Sequence, residues 1–116
     1  MERLRFDSSA GKRVDRYESE FVLAPLTVPD GRVKAACFHV PAGGIVGFHE
    51  ATVPQLFCVV AGSGWVTGPD RARVPVAAFE AAFWEAGEWH ESGSDSGMTA
   101  VVLEGEIAPY RPAASR

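Results

Sequence analysis

Residues 43–62 read GGIVGFHEATVPQLFCVVAG, a single histidine set between two short apolar runs, and the reading of this stretch decides the fold. The runs, residues 44–48 and 56–60, are rich in β-branched and aromatic side chains and are bounded by Gly and Pro, the pattern of strand, turn, strand. Side chains alternate across a strand, so His49 and Ala51 are expected on one face, and Gln55, Phe57 and Val59 on one face after the turn at Pro54. If that face is the interior, a polar site sits inside an apolar barrel.

Outward from this centre the chain is punctuated by Gly and Pro. Upstream, residues 21–26 form the first apolar run, and Pro25, which cannot donate to a ladder, suggests an edge position. Pro29, Asp30 and Gly31 then signal a turn before a strand over residues 33–40. Downstream, residues 64–67 read as a short strand, residues 68–70 as a turn and 74–76 as its return, with the glycines of AGSGWVTG (61–68) taken as hairpin turns. The Ala-rich piece 76–86, VAAFEAAFWEA, has a composition that favours helix, but Pro75 and Gly87 confine it and its neighbours demand a short strand. Strands follow over residues 89–92 and 99–103, with a polar loop at 93–97. The expected fold is all-β, one antiparallel jelly-roll barrel over residues 21–106 with almost no helix. A polar N-terminal arm (1–20), whose path the sequence does not fix, precedes it, and a tail (107–116) follows.

A chain of 116 residues, 47% hydrophobic and 22% charged, has the length of one domain and the means to build a core. A formal charge of -4 argues against a nucleic-acid or anionic-membrane surface, which needs clustered Lys and Arg, and points to small molecules as partners. Cys37 and Cys58 form neither a metal-ligand pair nor a disulfide framework by spacing, and both read as packing residues. With no signal-peptide core and no apolar run of spanning length, the chain is expected to be cytoplasmic.

The spacing resembles the two motifs of the cupin superfamily, small metal-binding β-barrels. Gly43, His49 and Gly62 fit the first motif, while Ala51 stands where a second His is expected and Gln55 where a Glu is expected. Gly87 and His90 match the second, with Phe79 in place of its leading Gly, Glu85 of its Pro and Ser94 of its Asn. Sixteen residues separate Gly62 from Phe79, which suits a compact member. The resemblance covers roughly residues 33 to 104 and is specific for fold rather than chemistry, because the fold hosts many activities.

The resemblance implies that His49 and His90 share the barrel interior as the catalytic pair. With Gln55 they are the metal-ligand candidates for a divalent ion, Zn, Fe, Mn or Ni. Phe57, Val59, Ser92 and Glu88 are the pocket candidates, Glu88 because it lies in the approach to His90 and carries a charge that Gln55 lacks. Glu91 is expected on the opposite face, and His39 on the outer phase of its strand. The aromatics Phe48, Phe57, Phe83, Trp84 and Trp89 are candidates for a pocket mouth. No Ser-His-Asp or Cys-His arrangement can be assigned.

Strand parity adds an expectation about assembly. With Ala36, Phe38 and Val40 inward, the opposite face still shows Val33, Ala35 and Cys37, and Leu56, Cys58 and Val60 oppose Gln55, Phe57 and Val59. Strands apolar on both faces require an outer cover, from a second subunit in a homodimer or from the N-terminal arm. Two functional classes follow. One is a cupin-like enzyme of oxygenase, isomerase or cyclase type acting on a small polar organic substrate. The other is a non-catalytic module that has lost metal and turnover and kept the pocket.

Overall fold

The computed structural model describes residues 1–111. Nine antiparallel strands form one curled sheet: β1 (Lys12–Val14), β2 (Phe21–Pro25), β3 (Val33–Val40), β4 (Ile45–Glu50), β5 (Gln55–Thr67), β6 (Val74–Ala77), β7 (Ala81–Trp84), β8 (Trp89–Gly93) and β9 (Met98–Gly105). The helical content among the described residues is two single 3-10 turns, Ser8–Ala10 and Arg16–Glu18. The jelly-roll barrel expected from the sequence is the observed architecture.

Hydrogen-bonded neighbours run β1-β2-β3-β9-β5-β8-β4, with β6 and β7 also paired to β5. β5 is the hinge of this arrangement. Gln55 to Gly62 pair with β9, and Gln55 to Cys58 pair with β7 on the other side. Ser63 to Val66 pair with β6, and Trp65 to Thr67 with β8. Two strands separated by a glycine hairpin were expected here, over 56–60 and 64–67, and the structure corrects this to one bent strand of 13 residues. The glycines work differently from turn formers. A register shift between Val59 and Ala61 and a positive φ at Gly62 bend the strand, and a Cβ on Gly62 would strike the Gly97 carbonyl of the adjoining strand end.

The Ala-rich piece folds as the end of β6, a turn and β7, because pairing to β5 captures it from helix. Its turn is tied at Phe79, whose N–H donates to the Val59 carbonyl, and at Glu80, whose side chain accepts the Ala77 N–H. Phe79 has φ of 72°. Gly43, Gly62 and Gly87, the glycines that matched the motifs, have φ of 78°, 75° and 93°, so Phe79 takes the same left-handed backbone at the one motif glycine this chain lacks.

The residues before Phe21 are not a free arm: β1 extends the sheet beside β2, with Val14 opposite Phe21, and Glu20 exchanges both backbone hydrogen bonds with Ile45 of β4. That pair joins the two ends of the curled sheet. The core beneath is built from Phe21, Phe38, Val40, Phe57, Val59, Trp84, Met98 and Val102, all on the predicted inward phase where one was predicted. Burying each large side chain is worth about 1.5–3 kcal/mol. Cys37 is buried although on the outer phase, and the N-terminal segment supplies part of the outer cover, since His39 donates Nε2–H to the Phe6 carbonyl at 2.9 Å. Residues 107–111 carry no regular structure; the rest of the expected tail, residues 112–116, lies outside the described residues.

Candidate functional site

The interior site is made by a register irregularity. In the β4–β8 ladder Val46 pairs with Ser92 and His49 with His90, so three steps on β4 match two on β8. The extra residue is a bulge, and it turns Val46 and His49, which simple alternation would put on opposite faces, toward the same interior. Gly47 lies in this bulge. A Cβ there would fall on the Tyr17 carbonyl, so only glycine lets the N-terminal segment pass so close to β4. Its N–H donates to Ser19 Oγ at 2.9 Å, and its carbonyl accepts His49 Nδ1–H at 2.6 Å.

The two imidazoles meet with ring centroids 4.5 Å apart. Tyr17 stacks on the other side of His49, at 5.2 Å and 10° between planes. Trp84 stacks on His90 at 4.2 Å, and its indole N–H is held by the Thr67 carbonyl. His90 is 2% exposed, and its Nδ1 faces the Glu88 carbonyl at 3.3 Å. A carbonyl can only accept, so both histidines carry a proton on Nδ1. On His90 the Nε2 is buried with no partner. Burial, with a smaller contribution from neighbouring His49, lowers its pKa to about 4 against the attraction of the Glu88 carbonyl and carboxylate, so the ring is neutral at pH 7.

Around this pair is a cavity of about 120 Å³, walled among others by Gln55, Phe57, Trp84, Ser92 and Glu104. Gln55 donates Nε2–H to Glu104 Oε1 at 2.8 Å, and the two residues are register partners on β5 and β9. Lys34 approaches the same carboxylate from outside at 3.8 Å.

Of the residues singled out from sequence, His49, His90, Gln55, Phe57 and Ser92 line one cavity. Val59 lies in the core rather than the cavity wall. Glu88 is corrected: its carboxylate accepts the Glu85 N–H at 2.8 Å, closing the turn before β8, and it does not line the cavity, while its backbone carbonyl holds His90 Nδ1. Glu91 points outward to Arg71, as parity required. Of the five aromatics only Phe57 and Trp84 reach the cavity. Phe48 and Trp89 pair outside at 5.4 Å, with Arg71 over the Phe48 ring, and Phe83 stands opposite Leu56 on the outer phase. Ser94, at the motif's Asn, is a buried corner whose hydroxyl accepts the Gly97 N–H.

The sequence reading missed Glu104, Tyr17 and Ser19. Glu104 carried a signal, since it continues the inward phase of Ala100 and Val102. Tyr17 and Ser19 carried none, because only the path of the N-terminal segment brings them there.

As metal donors, the residues fit in part. The unpartnered His90 Nε2, the neighbouring His49 ring and the Gln55 amide line one cavity, but among the described residues no three His, Cys, Asp or Glu side chains form a metal-holding group. That set fits a weakly held divalent ion, since a resident one usually takes three or more protein ligands.

No protein-family model matches the chain, and no curated protein sequence does either. Solved structures do. A cupin-like protein from Thermotoga maritima superposes with a TM-score of 0.77 at 11% identity, covering 90% of this chain and 84% of that one. A second T. maritima protein, described as a predicted oxalate decarboxylase, gives 0.73 at 19% identity over 86% and 96%. A cupin 2 conserved barrel domain protein from Salinispora arenicola gives 0.72 at 16% identity over 92% and 90%. At these identities the likeness is one of fold.

Proposed function

From the cupin fold of this chain, we propose that its barrel interior binds a small polar organic molecule by accepting a hydrogen bond at His90 Nε2. The observation that carries this is that Nε2 itself: a buried acceptor without a partner costs about 1–3 kcal/mol. A ligand N–H or O–H removes that cost on entry. Ser92 and the Gln55–Glu104 pair supply further polar contacts, and Phe57 and Trp84 an apolar wall. A cavity of about 120 Å³ takes a molecule of a few heavy atoms. With a pKa of about 4, His90 is a ready acceptor and a weak base, which favours binding over proton abstraction.

The metal-dependent enzyme is the second reading, favoured by the two imidazoles whose ring centroids lie 4.5 Å apart. His49 and His90 would hold a divalent ion, with Gln55 as a neutral third donor, and the ion would supply Lewis-acid polarisation of a bound oxygen. An oxalate-sized dianion entering without a cation would meet the Glu104 carboxylate and the bare His90 Nε2. The decarboxylase description of the T. maritima neighbour therefore transfers only together with a metal. Self-association as a homodimer belongs to the same proposal, supported by the half-buried outer row Leu56, Cys58, Val101 and Leu103.

Calorimetric titration with imidazole, and separately with Zn²⁺, tests the two readings. Imidazole is expected to bind weakly to the parent and not to His90→Leu; binding unaffected by that change defeats the proposal. Zn²⁺ is expected to bind weakly, to be lost in His49→Ala or His90→Ala, and to tighten in the Ala51→His, Gln55→Glu double variant.

A further inference from the structure

The segment that crosses the mouth of the cavity is anchored at both ends and strained in the middle. Val14 is fixed in the β1–β2 ladder, Ser19 Oγ holds the Gly47 N–H, and Glu20 is paired with Ile45. Between these anchors Tyr17 and Glu18 are consecutive residues with φ of 57° and 59°, a left-handed conformation that side chains other than Gly, Asn and Asp disfavour. Such strain persists only where surrounding contacts hold it. The contact here is the Tyr17 ring, flat on His49 beneath it and 60% exposed above. Swinging the ring off His49 gives up the stacked contact and loosens the turn closed by the Ser19 N–H to the Arg16 carbonyl, but it releases the left-handed strain at Tyr17 and Glu18, which offsets part of that loss.

We propose that Tyr17 is the specificity-determining residue of the interior site, a gate that must leave His49 for a ligand to reach the two imidazoles and that limits, when closed, what the cavity retains. With the ring down, the cavity is about 120 Å³ and His49 is half-buried beneath Tyr17; lifting the ring widens the opening to both imidazoles. Arg16, whose guanidinium lies 6.0 Å from the Tyr17 ring centroid, travels with it. The proposal rests on the interior being a binding site, but its test reads passage to the histidines and needs no ligand. The site itself is judged separately by the imidazole titration, so a failed gate leaves it standing.

The probe is diethyl pyrocarbonate, which acylates neutral imidazole nitrogen, with rates at His39, His49 and His90 resolved by peptide mass spectrometry on the full chain. His39, outside the barrel, is the internal reference. Tyr17→Ala should raise the His49 and His90 rates tenfold or more relative to His39, while Tyr17→Phe, which keeps the stacked ring, should stay within twofold of the parent. Glu18→Asn, which suits the left-handed backbone better, steadies the closed form and should slow His49 and His90 twofold or more. The proposal is overturned if Tyr17→Ala leaves the His90 to His39 ratio within twofold of the parent. If Tyr17→Ala unfolds, shown by a parallel rise at His39, Glu18→Asn decides alone: slower labelling supports the gate, and unchanged or faster labelling overturns it.

Discussion

His90 donates its Nδ1 proton to a backbone carbonyl and keeps Nε2 bare inside the barrel, and that arrangement sets a pH dependence. In the unfolded chain the imidazole takes up a proton near pH 6.5, and in the folded chain only near 4, chiefly because burial disfavours the cation. Between those values the unfolded state binds more protons, so stability is complete above about pH 6.5 and is lost as pH falls toward 4. For the metal-free protein the loss should be roughly 2–3 kcal/mol across the window. His90→Leu, of similar bulk and without a titratable ring, should flatten that slope. Urea midpoints of both proteins at pH 7, 5.5 and 4.5 check this. A parent slope that survives in His90→Leu would assign it to other groups. At this scale the sequence was informative about placement, since His49, His90, Gln55 and Ser92 line one cavity as type and phase implied. It misled at Glu88, because a carboxylate three residues after a turn's start can be consumed by the turn's own N–H, which spacing does not reveal.

The bulge in β4 is the element that makes a site out of these residues. Simple alternation carried the reading correctly from His49 to Ala51 and along β3 and β5, but it holds no signal of the extra residue between Val46 and His49. Gly47 was readable as a small residue in a strand, not as the place where another segment crosses. Gly47→Ala sets a Cβ against the Tyr17 backbone and is expected to cost on the order of 2–3 kcal/mol, by displacing that segment or opening the bulge. Loss of hydrogen-exchange protection at Gly47, Glu20 and Ile45, with β9 unaffected, is the expected signature. A variant with parent stability would mean that the segment does not lie against β4. The path of residues 12–20 was illegible for a related reason. Tyr17 and Glu18 take left-handed angles that their residue types do not advertise, so no local signal marks the turn.

Across the whole molecule the fold was legible because its punctuation is chemical: left-handed turns at Gly43, Gly62 and Gly87 fix where strands end or bend. What β5 does with Gly62 was not, since the same residue serves a hairpin or a bend and only the partner strands choose between them. The outer face was read as needing a cover, and the N-terminal segment covers His39 but leaves Val60 42% exposed beyond the half-buried Cys58. Cys58→Asp puts a charge in that row and should weaken self-association tenfold or more in sedimentation velocity, while the barrel keeps its β-sheet circular dichroism. A parent that is monomeric at micromolar concentration would remove the homodimer from the account. The convergence of His49 and His90 on one interior site is its centre, and nitrogen-15 spectra of the two imidazoles at pH 7 test it most directly. Expected are an unprotonated Nε2 and a protonated Nδ1 on His90, with the Nε2 resonances of both histidines moving together as Zn²⁺ is added. A protonated His90 Nε2, or a response at one histidine alone, would contradict it.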